Sequence, residues 1–128
     1  MTVPSTTGHA LEPCPNRPNC VSSRADDAAH RVEPFALRVP VERAWPQLRD
    51  AVASLPSVRI VESGVGYLRA EATSRLFRFV DDLEVLHVPG SARIDVRSAS
   101  RVGYSDVGVN RARVESLREA LRDAGLVE

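Results

Sequence analysis

The sequence predicts an α+β fold, in which a curved antiparallel sheet of about five strands carries two helices packed on one face. Two segments place an apolar residue at every third or fourth position, which is typical of helices with one buried side. Short alternating segments surround them, in the order strand, helix, four strands, helix. The length of 128 residues fits one such domain.

An irregular N-terminal arm over residues 1–33 is predicted to precede a single α+β domain over residues 34–128. The arm is rich in Pro, Ser, Asn and Asp and has no apolar period. Cys14 and Cys20 enclose two prolines and two asparagines, which indicates a turn-rich loop. The two cysteines could form a disulfide in an oxidising compartment, or stay reduced in a cytosol. Their spacing is wider than zinc motifs use, so we expect no metal and no cofactor.

The first strand and the first helix follow the arm. Residues 35–39 alternate and predict a short strand. Pro56 then ends a helix whose early Pro46 is tolerated because the first helical amides have no partner in any case. The apolar stripe of this helix comprises Val41, Ala44, Trp45, Leu48, Val52 and Leu55.

The middle and the end of the chain predict two hairpins and a second helix. Strands over residues 58–62 and 67–72 surround a turn at residues 64–66, and strands over residues 76–88 and 92–101 surround Pro89 and Gly90. A helix over residues 109–124 follows, and Gly125 ends it. Its apolar stripe comprises Val114, Leu117, Leu121 and Ala124.

A polar patch interrupts the apolar face of the long hairpin. If Val88 pairs with Ser91, Asp81 lies opposite Ser98, and Ser100 lies on the same face. A buried carboxylate is costly without further donors. Asp81 therefore either ties the arm or a loop to the sheet, or forms the floor of a polar pocket together with the two serines.

This register also makes predictions for the residues around Asp81. Phe79 should face Ser100 on the inner side, and Asp82 should pair with Arg97 on the outer side. Phe77 is then expected opposite Val102, also on the inner side. A slip by one residue would bring Asp82 to the inner face in place of Asp81, so both assignments remain open.

The segment over residues 97–111 is dense in hydroxyls, arginines and glycines. Ser105 or Asp106 could cap the second helix, which would account for both residues. A helix N-terminus near arginines is also a natural anion site, although the Asp106 carboxylate would compete for the same amides. The predicted binding residues are Asp81, Arg97, Ser98, Ser100, Arg101, Ser105, Asp106, Asn110 and Arg111.

Three blocks of the sequence resemble the domain of unknown function 1499 family, which occurs in bacteria and plant plastids. They cover residues 14–23 (CPNRPNCVSS), 77–82 (FRFVDD) and 97–111 (RSASRVGYSDVGVNR). The resemblance extends from about Cys14 to Leu121. It implies one compact domain without an established activity, cofactor or catalytic residue.

Composition excludes several classes of function. Acidic and basic residues balance at 17 each, all the basic residues are arginines, and aromatic residues make up 5%, so we expect neither a nucleic-acid nor a membrane partner. No apolar segment is long enough to span a membrane, and residues 1–11 lack the features of a secretory signal, so a soluble, cytoplasmic protein is expected. A monomer and a dimer are both compatible with these totals.

The same polar patch carries the prediction of function. We expect a small-ligand binding module, with a ligand that could be anionic because guanidinium groups suit carboxylates and phosphates. An enzyme of unrecognised class is the alternative, although no nucleophile–base pair can be assembled: His87 lies about 20 Å from Asp81 along the hairpin. A scaffold or protein-interaction domain is the third possibility.

Overall fold

The computed structural model describes residues 9–128, and the first part of the predicted arm, residues 1–8, lies outside it together with most of the segment considered for a secretory signal. The described residues form two helices and six strands. They are β1 (Cys20–Ser22), β2 (Phe35–Ala36), α1 (Val41–Ala53), β3 (Val58–Gly64), β4 (Tyr67–Thr73), β5 (Val80–His87), β6 (Arg93–Ser100) and α2 (Val109–Asp123).

All strand pairs in the sheet are antiparallel, in the order β1-β6-β5-β4-β3. β2 also pairs with β6, along the same free edge that β1 uses further on. The predicted α+β class and element order are therefore confirmed. The arm adds one strand that periodicity could not reveal, because β1 has only three residues and all three are buried.

The two helices lie on one face of the sheet, which we call the inner face. Leu48 and Val52 of α1 and Leu117 of α2 pack against inner-face residues such as Val85 and Val96 in a single apolar core. The C-terminal Ala124 of the predicted stripe is exposed, because it is the residue at which α2 ends. Within the described residues, no helix is long and apolar enough to cross a membrane.

The register of the long hairpin differs from the predicted one by two residues. His87 pairs with Ile94, and Val88 donates its amide to the carbonyl of Arg93, so the turn is longer than a two-residue loop. Asp81 consequently lies opposite Ser100 rather than Ser98. Because the shift is even, each residue keeps its predicted face.

Two further details of the predicted hairpin are wrong, the first because of this shift and the second because β5 begins later than predicted. Asp82 lies opposite Ala99, and Arg97 lies opposite Glu84. β5 begins only at Val80, so residues 76–79 form a loop, and Phe77 and Phe79 are exposed instead of extending the inner face.

Candidate functional site

An ion pair lies where the inner face of β5 meets the first turns of α2. The Asp81 carboxylate forms an ion pair with the Arg113 guanidinium, with 3.0 Å between Oδ2 and Nη2. Both side chains are mostly buried, at 13% and 14% exposure. Asp81 is thus the inner aspartate, and its positive partner comes from the second helix.

Asn110 is the centre of a buried hydrogen-bond network beside this pair. Its Oδ1 accepts from the Ser98 hydroxyl at 2.6 Å and from Arg113 at 2.8 Å. Its Nδ2 donates to the Ser100 hydroxyl at 2.9 Å and to the Asp106 carboxylate at 2.7 Å. Asn110 and Ser98 are completely buried, so each of these bonds replaces water that the groups cannot reach.

Asp106 joins the network to the start of α2. Its carboxylate accepts from the backbone amides of Gly108 and Asn110, at 2.8 and 3.0 Å, and so satisfies donors that the helix leaves free. Burial opposes ionisation of Asp106, but the hydrogen bonds from the Asn110 side chain and from these amides outweigh it, and the pKa of the carboxyl is lowered. Asp106 therefore stays ionised as a fixed acceptor.

The loop between the two cysteines docks against the same network. Asn19 accepts hydrogen bonds at its carbonyl from the Ser100 amide and the Asn110 side chain, and its own side chain donates to the carbonyl of Gly103. A disulfide joins Cys14 and Cys20 and closes this loop. The loop thus supports Ser100 and Asn110 from the edge of the sheet, while Asp81 is held by the second helix.

A cleft of about 500 Å³ opens above the network. Its polar floor is formed by Asp81, Ser100, Asp106 and Arg113. Ser98 and Asn110 lie beneath the floor and do not line the cleft. The apolar walls comprise Pro56, Phe77, Phe79, Val102, Val107 and Val109.

The loops that form the walls are ordered by their own hydrogen bonds. The Ser74 amide donates a hydrogen bond to the Phe79 carbonyl at 2.8 Å, and the Phe79 amide donates one to the Ser74 hydroxyl at 2.9 Å. The rings of Phe77 and Phe79 stack, with centroids 5.5 Å apart. The exposed rings of Phe77 and Phe79 therefore lie on a loop whose two ends are joined by hydrogen bonds.

Backbone strain is concentrated around the cleft. The non-glycine residues with positive φ in the described part of the chain are Ser57, Arg78 and Val107, at 59°, 60° and 47°. Ser57 and Val107 line the cleft, and Arg78 lies between the two phenylalanines. Such conformations cost free energy and cluster at functional sites, which favours the cleft as the candidate site.

Six of the nine predicted binding residues meet at this site: Asp81, Ser98, Ser100, Ser105, Asp106 and Asn110. The structure places the three predicted arginines elsewhere. Arg111 donates to the carbonyls of Ala29 and Arg31 and fastens the arm to α2. Arg97 and Arg101 lie on the outer face of the sheet.

The outer face carries a group of ion pairs around Asp82 and Arg101, which are 23% and 46% exposed and so less buried than Asp81 and Arg113. Arg101 donates to both oxygens of Asp82, at 2.8 and 2.9 Å, and to Glu71 at 2.8 Å. Its hydrogen bonds lower the pKa of the Asp82 carboxyl. Arg97 lies 3.7 Å from Glu84, whose carboxylate also accepts from the Tyr67 hydroxyl. Both arginines therefore face acidic side chains, and an anion would compete with those carboxylates for the guanidinium groups.

Residues of the site that were not predicted are Arg113, Asn19 and the two phenylalanines. Arg113 stands three positions after Asn110, so helical spacing alone places it on the same side of α2. Phe77 and Phe79 were assigned to a strand because they alternate. The carbonyl of Asn19 had no sequence signal, since a backbone group carries none.

A histidine in the arm is held by acceptors at both ring nitrogens. His30 lies 2.6 Å from the Asp27 carboxylate through Nδ1 and 2.9 Å from the carbonyl of Arg17 through Nε2. The carbonyl of Arg17 and then Asp27 raise the pKa of this imidazole. Because both acceptors call for an N–H, the protonated form fits the site.

A second, larger groove of about 830 Å³ lies at the opposite end of the sheet. It is lined by Trp45 and Pro46 of α1, by the turn at Gly64–Gly66 and by His87. It contains none of the predicted site residues and no strained backbone, so we do not take it as the candidate site. Residues 9–128 bring no group of three His, Cys, Asp or Glu side chains into a metal-binding arrangement.

The family model described as "Protein of unknown function (DUF1499)" matches residues 10–121, which is most of the chain. The matched range contains every residue of the polar network and both walls of the cleft. No curated protein matches the chain.

Proposed function

The chain belongs to the DUF1499 family of proteins of unknown function, and from this premise we propose that the cleft binds a small amphipathic molecule carrying an anionic group. The observation that carries the proposal is the contrast between the walls and the floor. Exposed phenylalanine and valine side chains surround a floor of fixed hydrogen-bonding groups. Ligand sites combine apolar walls with a few placed polar groups in this way.

The charges that line the cleft indicate the sign of the ligand. Asp81 and Arg113 neutralise each other, and Asp106 is satisfied by the start of α2. Arg75, also in the lining, is exposed and makes no hydrogen bond or ion pair to another described residue through its side chain. A guanidinium without a partner at the mouth of the cleft favours an anionic group there.

Binding is a better proposal than catalysis for this cleft. The described histidines lie elsewhere: His9 stacks on Tyr67, His30 is in the arm and His87 lines the opposite groove. The Ser100 hydroxyl accepts from Asn110, which is not a base. Nucleophilic catalysis would need an activating group that the lining does not supply.

Native mass spectrometry of freshly purified protein is the first test. A mass above that of the bare chain, lost on denaturation, is expected if the cleft carries a ligand through purification. Anilinonaphthalene sulfonate, which combines aromatic rings with a sulfonate, then serves as a probe. Its fluorescence titration should show saturable binding that Phe77→Ala and Arg75→Gln each weaken several-fold.

Two neighbouring aspartates supply a matched control. Asp81→Ala removes a group of the floor, whereas Asp82→Ala removes its neighbour on the outer face. The first leaves the Arg113 guanidinium in the floor without its carboxylate, so it should strengthen binding of the anionic probe, and the second should leave binding unchanged, with both proteins shown to be folded by circular dichroism. Equal effects of the two substitutions, or a bare chain without saturable probe binding, would favour the scaffold alternative.

A further inference from the structure

The exposed large apolar side chains are gathered at one end of the molecule. Among the described residues, six of the eight lie in two loops, residues 74–79 and 101–108, a seventh, Val109, begins α2, and the remaining one is Val65. Single exposed apolar residues are ordinary, but a contiguous group marks an interaction surface.

The two loops are neighbours because they leave adjacent strands at the same end. Arg101 donates its amide to the carbonyl of Val80, where the second loop leaves β6 and the first enters β5. Side chains of both loops line the same cleft. We call this surface the apolar rim; it comprises Leu76, Phe77, Phe79, Val102, Tyr104 and Val107.

Some rim residues point away from the cleft. Leu76 is 80% exposed and Tyr104 is 69% exposed, and neither lines the cleft. A ligand inside the cleft therefore leaves these two side chains in water. Their exposure calls for a partner larger than the ligand.

The charge beside the rim is positive. The loop over residues 74–79 contains Arg75 and Arg78 and no acidic residue, and both arginines are exposed. Neither side chain has an ion-pair partner within residues 9–128. Asp106 of the other loop is occupied by amides at the start of α2, and Arg101 by Asp82 and Glu71.

We propose that the apolar rim docks the protein on an anionic lipid surface. Leucine, phenylalanine and tyrosine are the side chains that enter the interface of a bilayer, and arginines beside them bind lipid phosphates. A bilayer surface adapts to two projecting loops with an open cleft between them, whereas a protein partner would need a continuous complementary face. The balanced total charge, on which the expectation of no membrane partner rested, does not describe this local surface.

The proposal goes beyond ligand binding and does not depend on it. Leu76, Arg78 and Tyr104 belong to the docking surface without lining the cleft, and Asp81 belongs to the cleft without being part of the rim. Substitutions can therefore test the two ideas separately.

Sedimentation with vesicles of phosphatidylcholine, with and without phosphatidylserine, tests the docking. The wild-type protein should sediment with the vesicles that contain phosphatidylserine, and less at high salt. The double variant Leu76→Ser, Tyr104→Ser should lose more than about tenfold in affinity, since it removes two inserting side chains. Arg78→Gln should lose about fivefold, the expected contribution of one arginine at an anionic surface.

Val65→Ser is the matched control, because Val65 is 77% exposed at the other end of β4, about 20 Å along that strand. It should sediment as the wild type does, and so should Asp81→Ala, while the double variant should keep probe binding in the cleft. The proposal is overturned if the wild-type protein stays in solution with both kinds of vesicle, or if Val65→Ser loses as much as the double variant. Wild-type dimers that the double variant converts to monomers, without vesicle binding, would replace the lipid by a second copy of the chain.

Discussion

The two faces of β5 and β6 both carry polar residues, but they use them differently. On the inner face, Asp81 and Arg113 are 13% and 14% exposed, and they adjoin a completely buried asparagine. On the outer face, Asp82 and Arg101 are 23% and 46% exposed and share their charge with other ion pairs. Adjacent aspartates in the sequence therefore enter a buried network on one side and an exposed one on the other.

Exposed and buried polar groups differ in the free energy that is lost when one member is removed. Exposed ion pairs contribute little each and are screened by salt, so the group around Asp82 and Arg101 tolerates the loss of one member. A buried polar network stabilises the fold only while every group has its partner, and an apolar core of the same volume would serve as well. That a polar network nevertheless stands beneath an open cleft favours a functional reason for it.

The largest expected effect comes from removing the centre of the inner network. Asn110→Ala removes the acceptor of the Ser98 hydroxyl and the donor to Ser100 and Asp106, so the free energy of unfolding should fall by about 3 kcal/mol. Arg101→Ala, the matching removal on the outer face, should cost less than about 1 kcal/mol. Urea denaturation at fixed salt measures both. A smaller loss in Asn110→Ala than in Arg101→Ala would reverse the comparison.

The disulfide loop should rank next, because Asn19 of this loop supports the inner network. Replacing both Cys14 and Cys20 by serine should lower the free energy of unfolding by about 2 kcal/mol, as expected for so short a closed loop. The wild-type protein should lose a similar amount when a reductant is added, and the variant should not respond to it. A variant as stable as the wild type would mean that Asn19 keeps its position without the covalent closure.

Double-mutant cycles compare the two faces directly. The cycle of Asp81→Asn with Arg113→Gln should give a coupling free energy of about 1–2 kcal/mol that changes little with salt, because both side chains are mostly buried. The cycle of Asp82→Asn with Arg101→Gln should give at most about 1 kcal/mol and fall as salt is added. Denaturation curves at low and high salt provide the four values. Equal couplings with equal salt dependence would show that burial does not distinguish the faces.

The same comparison explains what the sequence could and could not predict. Alternation assigned Asp81 and Asp82 to the correct faces, because the side-chain period of a strand is insensitive to a register error of two. The partner across the sheet is sensitive to it, so Asp82 was paired with Arg97 although it binds Arg101 and Arg69. Register depends on the turn after Val88, whose length composition does not determine.

Contacts between residues far apart in the chain are the second feature that the sequence does not predict. The helices and strands follow from local periodicity, but Arg113 reaches Asp81 only because α2 packs across the sheet. The cleft likewise needs two loops that are more than twenty residues apart in the chain, residues 74–79 and 101–108, to meet. Phe77 and Phe79 alternate like strand residues, so their exposure is visible only once β5 is seen to begin at Val80.

The Asp27–His30 pair combines a mostly buried histidine with an exposed aspartate, at 11% and 59% exposure. Its substitution should have the smallest effect on the free energy of unfolding. The pKa of His30 is raised in the folded protein by the carbonyl of Arg17 and by Asp27. Its stabilising contribution is therefore fully present below the unfolded pKa of about 6.5 and is lost as pH rises through the folded pKa. The free energy of unfolding should decline over that interval, and His30→Gln should remove this part of the decline.

Asp27→Asn is the control that divides the two causes. It keeps the carbonyl of Arg17 as an acceptor and removes the carboxylate, so it should retain part of the pH dependence that His30→Gln abolishes. Chemical denaturation at several pH values above and below the unfolded pKa measures all three proteins. A wild-type curve with the same slope as that of His30→Gln would mean that the Arg17 carbonyl and the Asp27 carboxylate do not hold a proton on this ring, and that the charge of His30 does not contribute to stability.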